Sequence, residues 1–342
     1  MTGWFSGLAK DRRGRLSHNA ASAVCKRSRT GLLACLGLFQ QALRVGIGMT
    51  LKVIPVVLAL ATLRMAGAET GLKLKVAVVQ FRSSFDVPQN GERIAAHLRR
   101  LAGEGVQVAV FPECALTGYD TGPAFAPSAT EVETAERQLQ QTCRNAEIAA
   151  VIGTVYKVNG RAYDAAVVFD SHGAMVERYG KVYLAGEEWA TPGNHVAYFE
   201  LEGVPSTIII CHDERYPELV RLPALKGARI VYYISSESGM REEHKLLPYR
   251  AQVMARAVEN GMFVVQANAP GNPDLSGSHG QSRIIATDGN VLKEASFFEE
   301  DILVEALAIQ TGSLQRPLEG LLGKWWSQGV DFMMNNRHRQ LD

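Results

Sequence analysis

Between residues 70 and 310, short β-branched apolar runs alternate with stretches of helical periodicity, and no other feature restricts the fold of this chain so much. Lys75–Gln80, Val106–Phe111, Ala149–Tyr156, Tyr163–Phe169, Ser206–Cys211, Ile230–Ile234, Met262–Gln266, Gln281–Ala286 and Asp301–Ala308 read as strands. Between them, Asn90–Gly103 carries Ile94, Leu98 and Leu101 at helical spacing, and Thr130–Ala146, Leu219–Lys226 and Leu246–Asn260 also read as helices. Such alternation specifies an α/β domain with helices layered over sheets. No internal repeat or low-complexity linker interrupts it. Residues 311–342 differ, with scattered Gly and Pro and the pair Trp325-Trp326, and read as a packing arm suited to a subunit interface.

Residues 1–68 stand apart from the domain over 70–310. They hold ten Lys or Arg and a single acid, Asp11. The remainder has 26 basic and 34 acidic residues, a net of −8, which argues against a nucleic-acid partner. Read from Met49, the charge-free run Val53–Leu63 and the small residues Ala66-Gly67-Ala68 form a secretory signal peptide over 49–68, too short to span a bilayer comfortably. This predicts a secreted or periplasmic protein, with residues 1–48 as possible upstream sequence. A cytoplasmic protein, or one anchored by this segment, is the alternative. The five cysteines show no C-x-x-C spacing and no zinc pattern, so no metal and no disulfide framework is expected.

Three polar residues close apolar runs or follow strand-like segments: Glu113 after Val106–Pro112, Lys181 after Tyr179-Gly180, and Cys211 after Ser206–Ile210. Alone, each has an ordinary reading: a loop acid, a surface lysine, a core cysteine. Together they supply a nucleophile, a base and a cation, a sufficient set for acyl transfer. A free thiol has a pKa of about 8.5 and needs a base. His212 adjoins Cys211, but neighbours in an extended segment face opposite ways, which leaves Glu113 as the better partner.

Phe111–Tyr119, Tyr179–Leu184 with Thr191-Pro-Gly193, and Cys211–Glu218 resemble, in order, the glutamate, lysine and cysteine motifs of the nitrilase superfamily of carbon–nitrogen hydrolases. Arg256–Asn260, Asn268 and Gly280–Gly289 extend the resemblance to residues 74–310. It implies a four-layer α-β-β-α sandwich that pairs into a homodimer or higher homo-oligomer, with no metal or organic cofactor. It also implies Cys211 as nucleophile, Glu113 as general base and acid, and Lys181 as oxyanion stabiliser; the chemistry calls for one backbone N–H beside that ammonium, and the His212 N–H is the candidate. The family's accessory glutamate falls at Glu187 or Glu188, and Glu188, four residues before Pro192, is the favoured choice.

The implied substrate is a small amide or carbamoyl compound, since His212-Asp213 after the cysteine looks unlike the Trp-Glu of nitrile-cleaving members. Tyr119, Trp189, Glu214 and Glu237 are candidate pocket residues. The two acids point to a cationic or neutral polar amide. Alternatives are nitrile hydrolysis by the same triad, a papain-like protease using His244, a non-catalytic or acyl-transferring relative, and a metal site at residues 211–214.

Overall fold

The computed structural model describes residues 71–238 and 246–310, together with Gln328. The expected leader (1–68) and almost all of the expected packing arm (311–342) lie outside the described residues. No described helix is long and apolar enough to cross a membrane.

Two six-stranded mixed sheets form the frame. The first runs β12 (Asp301–Ile309), β1 (Leu72–Gln80), β2 (Val108–Val110), β3 (Ala149–Val158), β4 (Arg161–Phe169), β5 (Met175–Gly180). The second runs β11 (Val291–Glu294), β10 (Arg283–Ile285), β9 (Phe263–Asn268), β8 (Ile230–Ser235), β7 (Val204–Ile210), β6 (Phe199–Leu201). In each, three adjacent strands pair parallel and the flanking strands antiparallel.

Strand side chains alternate between faces, and the alternation sorts them into layers. Leu74, Val76 and Val78 of β1 meet Ile208 and Ile210 of β7 in a core between the sheets. Ala77 and Val79 face α1 (Val87–Gly103) and α2 (Ala129–Ala146), whose Ile94, Leu98 and Leu139 complete a second core. Ile209 faces α3 (Glu218–Lys226) and α4 (Leu246–Asn260) in a third. The layers are therefore α-β-β-α, as expected. Asp86 and Ser128 start α1 and α2 by accepting the N–H of Gln89 and Glu131.

Strands β5, β6 and β11 were not evident from the sequence. Each lies at or beside a sheet edge, and Met175–Gly180 and Val291–Glu294 carry too few buried side chains to show an apolar run.

Candidate active site

Glu113 sits in the tight loop after β2, and the loop lies directly on β3 because Gly153 has no side chain. A Cβ there would fall 2.1 Å from Pro112 O and 2.6 Å from Glu113 Cα. Leu116 N–H donates to Gly153 O at 3.0 Å and fixes the contact. Lys181 directly follows β5. Its N–H donates to Asp164 O at 2.8 Å, and its carbonyl accepts Gly193 N–H at 2.7 Å. Gly193 is obligatory for the same reason: a Cβ would meet Gly180 O at 2.0 Å.

Cys211 does not end strand β7. It opens a 3₁₀ turn (Cys211–Arg215) with φ of +44°, a left-handed conformation that non-glycine residues rarely take. The extended geometry assumed for His212 therefore does not apply. Asp213 ties this turn to the lysine segment. Its Oδ2 accepts Tyr179 O–H at 2.8 Å and Ile210 N–H at 3.1 Å, and its Oδ1 accepts the Val182 and Tyr183 N–H groups at 3.2 and 2.9 Å. One buried carboxylate thus joins the residues around Lys181 to those around Cys211. Burial pushes it up to about 6 despite these donors.

Lys181 Nζ lies 2.6 Å from Glu113 Oε1, 2.5 Å from Glu187 Oε1 and 3.3 Å from Asp164 Oδ2, and all four side chains are fully buried. Burial opposes the ammonium charge. Glu113, Cys211, Asp164 and Glu187 more than offset it, and the amine is held well above its usual value. Glu113 Oε2 accepts Ser236 N–H at 2.6 Å, so the second sheet also anchors the carboxylate. Burial and then Glu113 push the Cys211 thiol well up, with Lys181 acting against them. The resting sulfur is a thiol, and attack requires a base. Among the described residues, the side chains close enough to share one cation are Glu113, Asp164 and Glu187, and that cation is the Lys181 ammonium.

The favoured accessory glutamate is corrected. Glu188 is exposed, and its described contact is a backbone N–H donated to Thr121 O. Glu187 points inward, bonds Lys181, and accepts Tyr119 O–H at 2.8 Å and Ala185 N–H at 2.6 Å. Burial raises its carboxyl, but Lys181 and these donors bring it below the usual range. The loop after Lys181 turns at Gly186 (φ +108°), so position alone could not say which acid faces in.

A cavity of about 560 Å³ opens over Cys211, lined also by Arg82, Tyr119, Ser236, Glu237 and Ser278. Three expected pocket residues do not line it. Trp189 donates its indole N–H to Asp120 O at 2.7 Å and packs edge-on to Phe125. The His212 ring packs edge-on to Tyr216. Glu214 is carried behind Cys211 by the 3₁₀ turn and meets Tyr233 O–H at 3.0 Å. Tyr233 also bonds Glu237, whose other oxygen lies 2.9 Å from His279 Nε2 at ion-pair distance without hydrogen-bond alignment. One phenol proton cannot serve both acids fully, and Glu237 makes the shorter contact with it. Burial and then Glu237 push Glu214 up, to about 9. Burial would raise Glu237 as well, but His279 and Tyr233 hold it below its usual value. Glu237 lines the cavity with its carboxylate turned inward. Glu214 therefore lies off the cavity, and Glu237 stays at its wall with its carboxylate bonded by Tyr233.

Sequence reasoning missed Asp164, Asp213 and Ser236. Asp213 lay inside the cysteine motif. Asp164 lay in a strand and Ser236 acts through its backbone, and neither carries a local signal.

A half-buried thiol at a cavity wall, under the charges of a buried carboxylate–ammonium pair, is the arrangement of a thiol-dependent amide hydrolase. This chain belongs to the carbon–nitrogen hydrolase family, whose model matches residues 75–316. It is amidase-like and acts on carbon–nitrogen bonds other than peptide bonds. It is 29% identical over 245 residues to a 2-oxoglutaramate amidase of Bacillus subtilis, covering 70% of this chain and 92% of that one. An (R)-stereoselective amidase of a Pseudomonas species is 30% identical, with coverage of 68% and 84%. The crystal structure of an amidase from a Nesterenkonia species superposes with a TM-score of 0.63 at 26% identity, covering 74% of this chain and 96% of that one.

Proposed function

We propose that this chain hydrolyses a small amide or carbamoyl compound through a thioester on Cys211. The observation that carries the reading is the buried Glu113–Lys181 pair, 2.6 Å apart, acting on a thiol that lines the cavity. Glu113 takes the Cys211 proton as sulfur adds to the amide carbon. The oxyanion faces Lys181 and the His212 N–H; one such donor is worth about 3–4 kcal/mol of activation energy. Glu113 then protonates the leaving nitrogen, the C–N bond breaks, and the thioester remains. Glu113 next deprotonates water, which attacks the thioester; the C–S bond breaks and the proton returns to sulfur. Glu187 holds Lys181 in place.

The substrate's distal end is an acid or a strong acceptor. Arg82 lines the cavity, and its guanidinium is fixed by neutral oxygens: Asn272 Oδ1 at 2.5 Å, Gly271 O at 2.9 Å and Phe298 O at 2.7 Å. Among the described residues no carboxylate ion-pairs with it, which leaves a positioned positive charge for a substrate anion. The 2-oxoglutaramate amidase relative is named for such a substrate. Export through the 49–68 leader and assembly as a homodimer complete the reading; the N-terminal residue of the mature protein and its mass in solution test them.

The deciding experiment incubates the protein with short amides, with and without an ω-carboxylate, and follows ammonia or amine release alongside the intact mass of Cys211. An acyl adduct that rises and decays with turnover supports the reading. Full turnover by Cys211→Ala removes it.

A further inference from the structure

Asp164 on β4 is a third acid at the Lys181 ammonium, and nothing in the mechanism above uses it. It is fully buried. Its Oδ2 lies 3.3 Å from Lys181 Nζ but receives no aligned hydrogen bond, and its Oδ1 faces Cys114 Sγ at 3.7 Å. Oxygens of Asp164, Glu113 and Glu187 all lie within 4.8 Å of one another.

Charge counting is decisive here. If all three acids were ionised, one ammonium would face three negative charges among fully buried side chains. Glu187 takes a short bond from Lys181 and further donors from Tyr119 and Ala185, all of which favour its ionised form. Glu113 takes Lys181 Nζ on one oxygen and Ser236 N–H on the other. Asp164 has the poorest donors of the three, a thiol and a misaligned ammonium. A proton on Asp164 relieves the excess charge, and the Glu113 and Glu187 carboxylates, with oxygens within 4.8 Å, are the neighbouring acceptors.

We propose that Asp164 is held as a neutral carboxylic acid that shares its proton with Glu113, so that the general base works as one member of a singly protonated pair. Sharing the proton stabilises the Glu113 carboxylate in the resting enzyme. It also leaves the Lys181 charge available to the oxyanion instead of to a third acid. When Glu113 accepts the Cys211 proton the pair holds two protons, and it returns to one as the leaving nitrogen is protonated. Burial, then Glu113, raise Asp164 in agreement with this, against Lys181. The titratable groups facing it are Glu113 and Cys114 from the loop after β2, and Lys181 and Glu187 from the segment after β5. Asp164 is a positioning residue: it acts through Glu113.

The proposal rests on Glu113 as base, so Glu113→Gln and Cys211→Ala are measured first; if either keeps full turnover, the base assignment fails independently of Asp164. The decisive probe is infrared difference spectroscopy of wild type against Asp164→Asn at neutral pH, with no substrate. We expect a protonated-carboxyl band that the variant lacks. Loss of a carboxylate band in place of that protonated-carboxyl band would overturn the proposal. Kinetics supply the second arm. Asp164→Asn keeps a donor to Glu113 but cannot ionise. It should lower kcat less than about tenfold, leave KM unchanged and move the alkaline fall in activity to higher pH. Asp164→Leu has no donor and should lower kcat about a hundredfold. Equal losses in the two folded variants, with an unmoved alkaline limb, would reduce Asp164 to packing.

Discussion

Lys181 Nζ and Glu113 Oε1 lie 2.6 Å apart with both side chains fully buried, although 68 residues separate them. A desolvated pair of this kind gives stability only while both members are present. Glu113→Gln should therefore do two things. It should lower turnover about a hundredfold or more by removing the base, and it should unsettle Lys181. Iodoacetamide labelling of Cys211 separates the effects. Labelling at pH 7 should slow in Glu113→Gln, because Glu113 is the acid that acts most strongly on the resting thiol. Unchanged labelling would mean that Glu113 does not activate the sulfur.

The accessory acid gives a paired comparison between chain neighbours. Glu187→Gln loses the charge that holds Lys181 and should lower kcat by about tenfold to a hundredfold. Glu188→Gln, at the exposed neighbour, should stay within about twofold of wild type. Steady-state kinetics of both variants on one amide decide it.

Stability should depend on pH through Glu214. Its carboxyl sits at about 9 in the folded chain, against about 4.3 unfolded, so the native state binds that proton more tightly. Stability contributed in this way is fully present below the unfolded value and declines as pH rises toward the folded one, by up to about 1.4 kcal/mol per pH unit. Urea unfolding of Glu214→Gln between pH 5 and about pH 9 should show a smaller decline than wild type. Equal slopes would mean that Glu214 is ionised in the native protein.

Arg82 should separate substrates by charge. Arg82→Gln should raise KM about tenfold or more for an amide with an ω-carboxylate, and leave a neutral amide of equal length within about twofold. Equal losses on both substrates would assign Arg82 a structural role through Asn272, Gly271 and Phe298.

Gly153 makes a backbone prediction. Gly153→Ala places a Cβ against Pro112 O and must push the Glu113 loop off β3. A displacement of about 1 Å costs on the order of a hundredfold in rate. A Gly153→Ala protein that still melts cooperatively but has lost activity is the expected result.

Much of this molecule was legible in the chain. The buried strands β1, β3, β4, β7, β8 and β9 each carry an apolar run, because both of their faces are covered. Edge strands β5 and β11 were hidden, since a half-exposed strand needs polar residues that read as loop. Glu113, Lys181 and Cys211 could be found because each closes or follows a recognisable segment. Asp164 could not, because an aspartate inside a strand looks like a solvent-facing residue until the opposite loop is known. Glu187 was confused with Glu188 for a related reason: a glycine turn sets which of two consecutive side chains faces in.

Asp213 joins the Cys211 turn to Val182 and Tyr183, and Ser236 joins the second sheet to Glu113. Sulfur and its chemical partners therefore belong to different halves of the molecule, sewn together by a handful of polar stitches. Any disturbance that lets one sheet slide on the other, from heat to an ill-chosen core substitution, should silence the chemistry before either half has melted. Turnover is thus a finer gauge of the seam between the sheets than any optical signal from the strands themselves.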